Sequence, residues 1–259
     1  MKEIKKYLES RIGTYGFFFE DLNRGFVYGY NENVQMVAAG CMKLPIAISL
    51  IKDVENGNVS FMDKINIEGA DKVYGTGIIH EFNAREYTVF ELLVAMLIQS
   101  DNTAANKIID IVGMEKINEY IKEMGLKNTV LNRKTTDERK EKPKVENLTT
   151  ARDLSRVWKV LYDQTFLSKE NSTMLIDILR RQQIKNKLAL YIPDDLKYEI
   201  SSKTGDKPGV ENDTALIQLS KGTFAFTVLS MSIPNSVYGT VTLAKSGKMM
   251  WDDVMNNWN

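Results

Sequence analysis

Two aromatic-rich runs, residues 16–20 and 26–30, flank the segment Asp21-Leu22-Asn23-Arg24-Gly25, a spacing that predicts a β-hairpin with a glycine in its turn. From Lys43 to Glu55 the apolar positions change to helical spacing. Pro45 lies early in that run and predicts a local distortion rather than a break. Thr88-Val89-Phe90-Glu91 reads as a capping box, and Val89, Leu92, Leu93, Met96 and Leu97 follow on one helical face, which predicts a central helix. Further helical patterns cover residues 104–112, 114–123, 151–162 and 169–181, with no strand signal strong enough to interrupt them. Alternation returns at residues 198–202, 214–220 and 224–230, the last two joined by Lys221-Gly222 in hairpin spacing. Ala244, Met250, Trp251 and Val254 then place a closing helix within residues 241–258.

The order strand, helices, strands makes the chain α/β in content, of the α+β kind. A five-stranded antiparallel sheet is expected to be built from both ends of the chain, flanked by helices, with an all-helical subdomain inserted between them. Residues 1–37 and 190–259 would form the α/β part and residues 38–189 the helical part of one domain spanning 1–259. With 259 residues and 43% hydrophobic side chains there is ample material for a core.

Charge and rare residues narrow the chemistry. Lys plus Arg and Asp plus Glu balance at 34 each, so no global field favours nucleic acid or an anionic membrane. No apolar run approaches the roughly 18 residues of a membrane span. A single cysteine, Cys41, excludes an internal disulfide and a thiolate metal cluster, and one histidine, His80, excludes a polyhistidine metal site and argues against a histidine-based triad. Nucleophilic catalysis would then need a lysine or a carboxylate as its base, or a water held by one of them. Trp158, Trp251 and Trp258 lie in helical patterns and read as packing residues. The charged stretch from Arg133 to Glu146 reads as an exposed loop.

Three short motifs follow one another: Gly40-Cys41-Met42-Lys43 opening a helix, Ser100-Asp101-Asn102 after a helix, and Lys203-Thr204-Gly205 in a strand. Each is weak alone. Their order and context, with Ala38-Ala39, Leu44-Pro45-Ile46, Thr103-Ala104-Ala105-Asn106, Gly209-Val210 and Asp213, resemble the class A β-lactamases and penicillin-binding proteins over nearly the whole chain. The resemblance implies a serine hydrolase whose nucleophile, three residues before Lys43, gives its proton to that lysine's amine. A lysine partly buried at a helix N-terminus has a lowered pKa, which suits this task. By the same resemblance Ser100 relays a proton to the leaving nitrogen, Asn102 binds the substrate amide and Asp101 is structural. Lys203 and Thr204 hold the substrate carboxylate, and Gly205 lets the acyl chain approach the strand. The backbone amides of Gly40 and Asp206 form the oxyanion hole.

The chain departs from the pattern at two places. Gly40 occupies the nucleophile position and has no side chain, so acylation there should be abolished. Cys41 points about 100° away round the helix and reads as a small buried thiol. Glycine in place of serine costs about a few tenths of a kcal/mol at a cap, against roughly 10⁶ in rate for a lost nucleophile, so it spares the fold and removes the reaction. That is the pattern of an engineered trapping mutant, which we favour over a natural pseudoenzyme. Second, the glutamate that aims the deacylating water in class A enzymes falls by spacing near Thr135. Glu138 and Glu141 are close but out of register, with Glu138 the candidate as a displaced base. Arg133 with Glu146 is expected to close the loop by a salt bridge.

The expected function is therefore that of a class A-like serine β-lactamase, acylation-deficient with Gly40. A D-alanyl-D-alanine carboxypeptidase or penicillin-binding acyltransferase with slow deacylation is the enzymatic alternative. A non-catalytic module binding a β-lactam or peptidoglycan fragment is the alternative of another class. No metal or organic cofactor is implied, the partner is a small molecule, and a monomer is expected. The location is cytoplasmic if the given start is native, and secreted, periplasmic or cell-surface if an export signal has been removed.

Overall fold

The computed structural model describes residues 1–136 and 144–258. The chain opens with helix α1 (Lys2–Glu9), which the charge of the segment masked in the sequence although Ile4 and Leu8, four apart, both point inward. The hairpin follows as β1 (Thr14–Asp21) and β2 (Val27–Tyr30), and Gly25 turns it at a φ of 73°. A short strand β3 (Met36–Val37) leads into a 3₁₀ turn, Ala39–Met42, and then α2 (Lys43–Glu55). Pro45 is the third residue of α2, where its missing N–H costs no helical bond, so the irregularity lies in the turn ahead of it.

Strands β4 (Lys64–Ile67) and β5 (Arg85–Thr88) form a ribbon that helical periodicity gave no sign of. Thr88 then caps α3 (Val89–Ile98) through the expected reciprocal bonds with Glu91. Next come α4 (Asn102–Val112), α5 (Met114–Glu123), a short strand β6 (Leu148–Thr149) paired with β3, α6 (Ala151–Tyr162) and α7 (Lys169–Arg180). Strands β7 (Ile200–Lys207), β8 (Val210–Leu219) and β9 (Gly222–Met231) precede α8 (Ser236–Asn257). The five-stranded antiparallel sheet runs β2-β1-β9-β8-β7, as expected, and leaves β7 at its edge.

Period-two alternation in β1 divides the core. Phe17 and Phe19 pack toward α1 and α8 with Phe224, Phe226, Leu243 and Trp251, while Phe18 packs the other way beside Leu154 of α6. Trp158 of α6 is fully buried, and its indole N–H donates to Thr214 Oγ1 at 2.7 Å, pinning the helix to the sheet. A separate cluster of α2, α3, α4, α5 and α7 side chains forms the helical core beyond β7. The cleft lies where that core meets the sheet edge. Among the described residues no helix is long and apolar enough to cross a membrane.

Candidate active site

The turn carrying Gly40 is set by its neighbours. The Ala38 N–H donates to Asn147 O at 2.8 Å, and Ala39 takes a left-handed φ of 46°, so the chain enters α2 through a tight turn with Lys43 as the first helical residue. Lys43 is buried. Its Nζ donates to Ser100 Oγ at 3.1 Å, to Asn102 Oδ1 at 2.8 Å and to the Ser100 carbonyl. None of these acceptors is charged. Burial, and after it the nearby Lys203 ammonium, lowers the Lys43 pKa to about 7, outweighing the more distant carboxylates of Asp101 and Asp206.

Ser100 is presented by the break between α3 and α4, where it holds a left-handed φ of 55°. Asp101 fixes that break. One carboxylate oxygen caps α4 at the Ala104 N–H (2.9 Å), and the other accepts from the N–H groups of Ile78 and Ile79 at 2.7 and 2.8 Å. Asp101 is thus fully engaged in structure, as expected. Asn102 turns its side chain toward Lys43, and its N–H donates to Thr76 O at 3.0 Å.

Lys203 comes from β7 and is fully buried; its Nζ donates to Ser100 Oγ at 3.0 Å and to Thr204 O at 2.8 Å. Burial lowers its pKa to about 8. The Ser100 hydroxyl therefore lies between two buried amines, one from each wall. Thr204 is also buried, and its hydroxyl accepts from the Gln182 side chain at 3.2 Å.

Two glycines let the walls meet. A Cβ on Gly205 would lie 2.6 Å from the Gly40 nitrogen and 2.7 Å from the Cys41 nitrogen, so the bare strand is required by the backbone of the 3₁₀ turn itself. This backbone requirement stands beside the expected reason, space for an acyl chain. A Cβ on Gly40 would lie 3.2 Å from Ser100 Oγ, 3.1 Å from Gly205 Cα and 2.8 Å from Thr204 O, so a side chain at position 40 would face the two-lysine site but push on the strand. Cys41 is excluded from it: its buried thiol donates to Lys203 O at 3.2 Å, and burial raises its pKa to about 12.

A cavity of about 390 Å³ opens over these groups, lined by Gly40, Lys43, Ser100, Asn102, Thr135 and Asp206 among others. Lys203, Thr204 and Gly205 stand behind this lining. The far wall is a charged loop. Arg133 pairs with Glu146 at 2.9 Å, as expected, and Glu146 also pairs with Lys207 at the end of β7. The side chain of Asn106 clasps the Thr135 backbone at both its N–H (2.9 Å) and its carbonyl (2.8 Å), which fixes Thr135 at the cavity. Glu138 and Glu141 lie outside the described residues.

Three features escaped the sequence reading. Tyr74 lines the rim of the cavity just before the backbone turns at Gly75 and Gly77, whose φ values are 119° and 113°; the glycine pair was its only signal. Gln182 holds Thr204, and nothing marks a buried glutamine in a loop. Lys187 is buried near the Gly205 end of β7 with Glu211 at 2.6 Å. Its partner is 24 residues away, too far for any local pattern. His80 stands in a rim turn with Nε2 3.1 Å from Glu81, but its buried Nδ1 has no partner among the described residues, so it is only half satisfied.

A family model described as "Beta-lactamase enzyme family" matches residues 1–254. Among curated proteins, beta-lactamase CARB-3 of Pseudomonas aeruginosa is 27% identical over 190 residues, 73% of this chain and 65% of that protein. A D-alanyl-D-alanine carboxypeptidase of Bacillus subtilis (strain 168) is 28% identical over 110 residues, 40% of this chain and 28% of that protein. These alignments span less than two thirds of the length of either relative. Among solved structures, the beta-lactamase from Sphaerobacter thermophilus DSM 20745 superimposes with a TM-score of 0.90 at 26% identity, covering 97% of this chain and 95% of that one.

Proposed function

Because the chain belongs to the beta-lactamase enzyme family, we propose that its cleft receives a β-lactam, a strained amide bearing a carboxylate, on a class A-like acyl-transfer scaffold that lacks its nucleophile. The observation that carries this reading is the Ser100 hydroxyl, 3.1 Å from Lys43 Nζ, 3.0 Å from Lys203 Nζ and 3.2 Å from where a Cβ at position 40 would stand. With serine at position 40, neutral Lys43 takes the proton of the attacking hydroxyl and Ser100 passes a proton to the leaving nitrogen. The amides of Gly40 and Asp206 receive the carbonyl oxygen, and Asn102 binds the substrate amide. Lys203 acts on the carboxylate as a buried positive charge behind the cleft, with Thr204 beside it. With glycine at position 40 the chain holds the ligand and is deficient in acylation.

Thr135 favours a second reading for the serine-bearing form. Where a class A enzyme has a carboxylate to aim the deacylating water, Asn106 holds a threonine, which has no basic group. Such an enzyme acylates and then releases slowly, as a penicillin-binding acyltransferase does. Glu138 is the remaining candidate for a deacylation base.

The test compares the given chain with Gly40→Ser after exposure to penicillin G, by intact mass over time and by turnover of a chromogenic cephalosporin. Gly40→Ala controls for the push on Thr204 O. Gly40→Ser is expected to gain one whole penicillin and to react faster than the glycine form by orders of magnitude. Rapid loss of the adduct with turnover selects the lactamase, and a lasting adduct selects the acyltransferase. A Gly40→Ser protein that is folded, forms no adduct and turns nothing over overthrows both.

A further inference from the structure

Resting on that reading of the cleft, we propose that Ser100 is itself a nucleophile in this chain, attacking the β-lactam carbonyl and forming an acyl ester on its own Oγ. What Lys43 can donate and accept decides which partner its lone pair can reach. Its Nζ has three partners: the Ser100 carbonyl, Asn102 Oδ1 and Ser100 Oγ. A carbonyl and an amide oxygen can only accept. When Lys43 loses a proton, its two remaining N–H groups stay on those oxygens and its lone pair is left facing the Ser100 hydroxyl, the one partner able to reverse its role. Deprotonated Lys43 is thus a base aimed at Ser100.

Lys203 completes the activation from the other side. Its ammonium donates to the same Oγ at 3.0 Å and has no carboxylate within ion-pairing distance among the described residues, so its charge acts on the oxygen as that oxygen becomes anionic. Burial lowers Lys43 to about 7 and Lys203 to about 8, which supports one amine being neutral while the other stays charged between those values. Position matters as much as activation. Ser100 lines the cavity, and its Oγ is 3.2 Å from the Cβ site of residue 40. With glycine at position 40, a ligand carbonyl can settle into the space a serine side chain would fill, toward Ser100.

The step balances without a further reactant. The Ser100 Oγ–H proton passes to Lys43 Nζ, the Oγ–C bond forms and the ring C–N bond breaks. Lys43 then delivers that proton to the departing nitrogen. The product is an opened β-lactam esterified to Ser100, with its ring nitrogen now carrying a hydrogen. Because the hydroxyl proposed as the relay is consumed as nucleophile, acylation runs slower than in Gly40→Ser by roughly 10²–10⁴-fold, the usual worth of a placed acid.

The experiment is prolonged exposure of the full chain to penicillin G at pH 6 to 9, followed by intact mass and peptide mapping. The expected result is a gain of one whole penicillin on the peptide holding Ser100. Its rate should rise with pH through about 7 as Lys43 loses its proton. Ser100→Ala and Lys43→Met should each remove the adduct, with circular dichroism confirming their folds. No adduct on the given chain, an adduct on another residue, an adduct surviving Ser100→Ala, or hydrolysed penicillin formed with no adduct each overturns the proposal. If Gly40→Ser acylates while the glycine chain does not, only the Ser100 inference falls. If neither acylates, the reading of the cleft falls with it.

Discussion

Strand β7 separates two buried lysine sites of opposite character. At the cleft, Lys43 meets a hydroxyl and two neutral oxygens, and burial lowers its pKa to about 7. Near the Gly205 end of the same strand, Lys187 is equally buried, and burial alone would lower it too. The carboxylates of Asp206, Glu211 and Asp213 outweigh that effect and raise it above the ordinary lysine value. The residue type and the degree of burial are the same, so the charge of the partners decides the sign. A buried lysine given neutral acceptors is pushed toward its neutral form; one given carboxylates is held as a cation.

The largest expected effect tests the structural side of this contrast. Lys187→Met leaves Glu211, 3% exposed, without its partner at 2.6 Å. Breaking a buried pair from one side costs about 3–5 kcal/mol, measured by urea unfolding at neutral pH. The double variant Lys187→Met/Glu211→Met should recover much of that loss, because no buried charge is then left alone. A cost below about 1 kcal/mol for the single change would show that Lys187 is not a fixed structural cation.

The difference between the two sites also marks where sequence reading succeeds. Elements with dense local signals appear close to where they were expected: the capping box of Thr88 and Glu91, the helix from Lys43, the hairpin turned at Gly25 and the long strand pair before the last helix. Short ribbons were missed, since two to four residues offer too little alternation to stand out from helical neighbours. Lys43, Ser100, Asn102 and Lys203 were legible as motifs, and they meet within hydrogen-bonding reach. The buried pairing of Lys187 with Glu211 and the clasp of Asn106 on Thr135 were not, because each joins distant segments whose chemistry appears only after folding. The bare Cα of Gly205 also serves a backbone contact that no motif encodes.

Next in size is a pH effect at the cleft. Lys43 has a folded value near 7 against 10.5 for an unhindered lysine, so between those values the unfolded chain binds more protons than the folded one. Its burial therefore weakens the fold progressively as pH falls from about 10.5 to about 7, and no further below. Relative to the parent, Lys43→Met should gain on the order of 4 kcal/mol across that window, whatever its constant offset from lost hydrogen bonds. Urea unfolding of both proteins at pH 7, 8.5 and 10 measures the difference. A stability difference independent of pH would put Lys43 in the same class as Lys187 and remove the contrast.

The smallest effect separates the carboxylates around Lys187. Asp206 approaches its Nζ only to 3.4 Å, with a side chain 51% exposed, whereas Glu211 is buried at 2.6 Å. Solvent screens the Asp206 pair, so Asp206→Asn should cost less than about 1 kcal/mol and the cost should shrink further in added salt. The substitution leaves the residue 206 backbone amide in place, so penicillin acylation of Gly40→Ser should survive it. A loss comparable to that of Lys187→Met would mean that Asp206, at the mouth of the cleft, is the anchor of the buried cation. Structure and ligand binding would then be coupled through one carboxylate rather than kept apart along the strand.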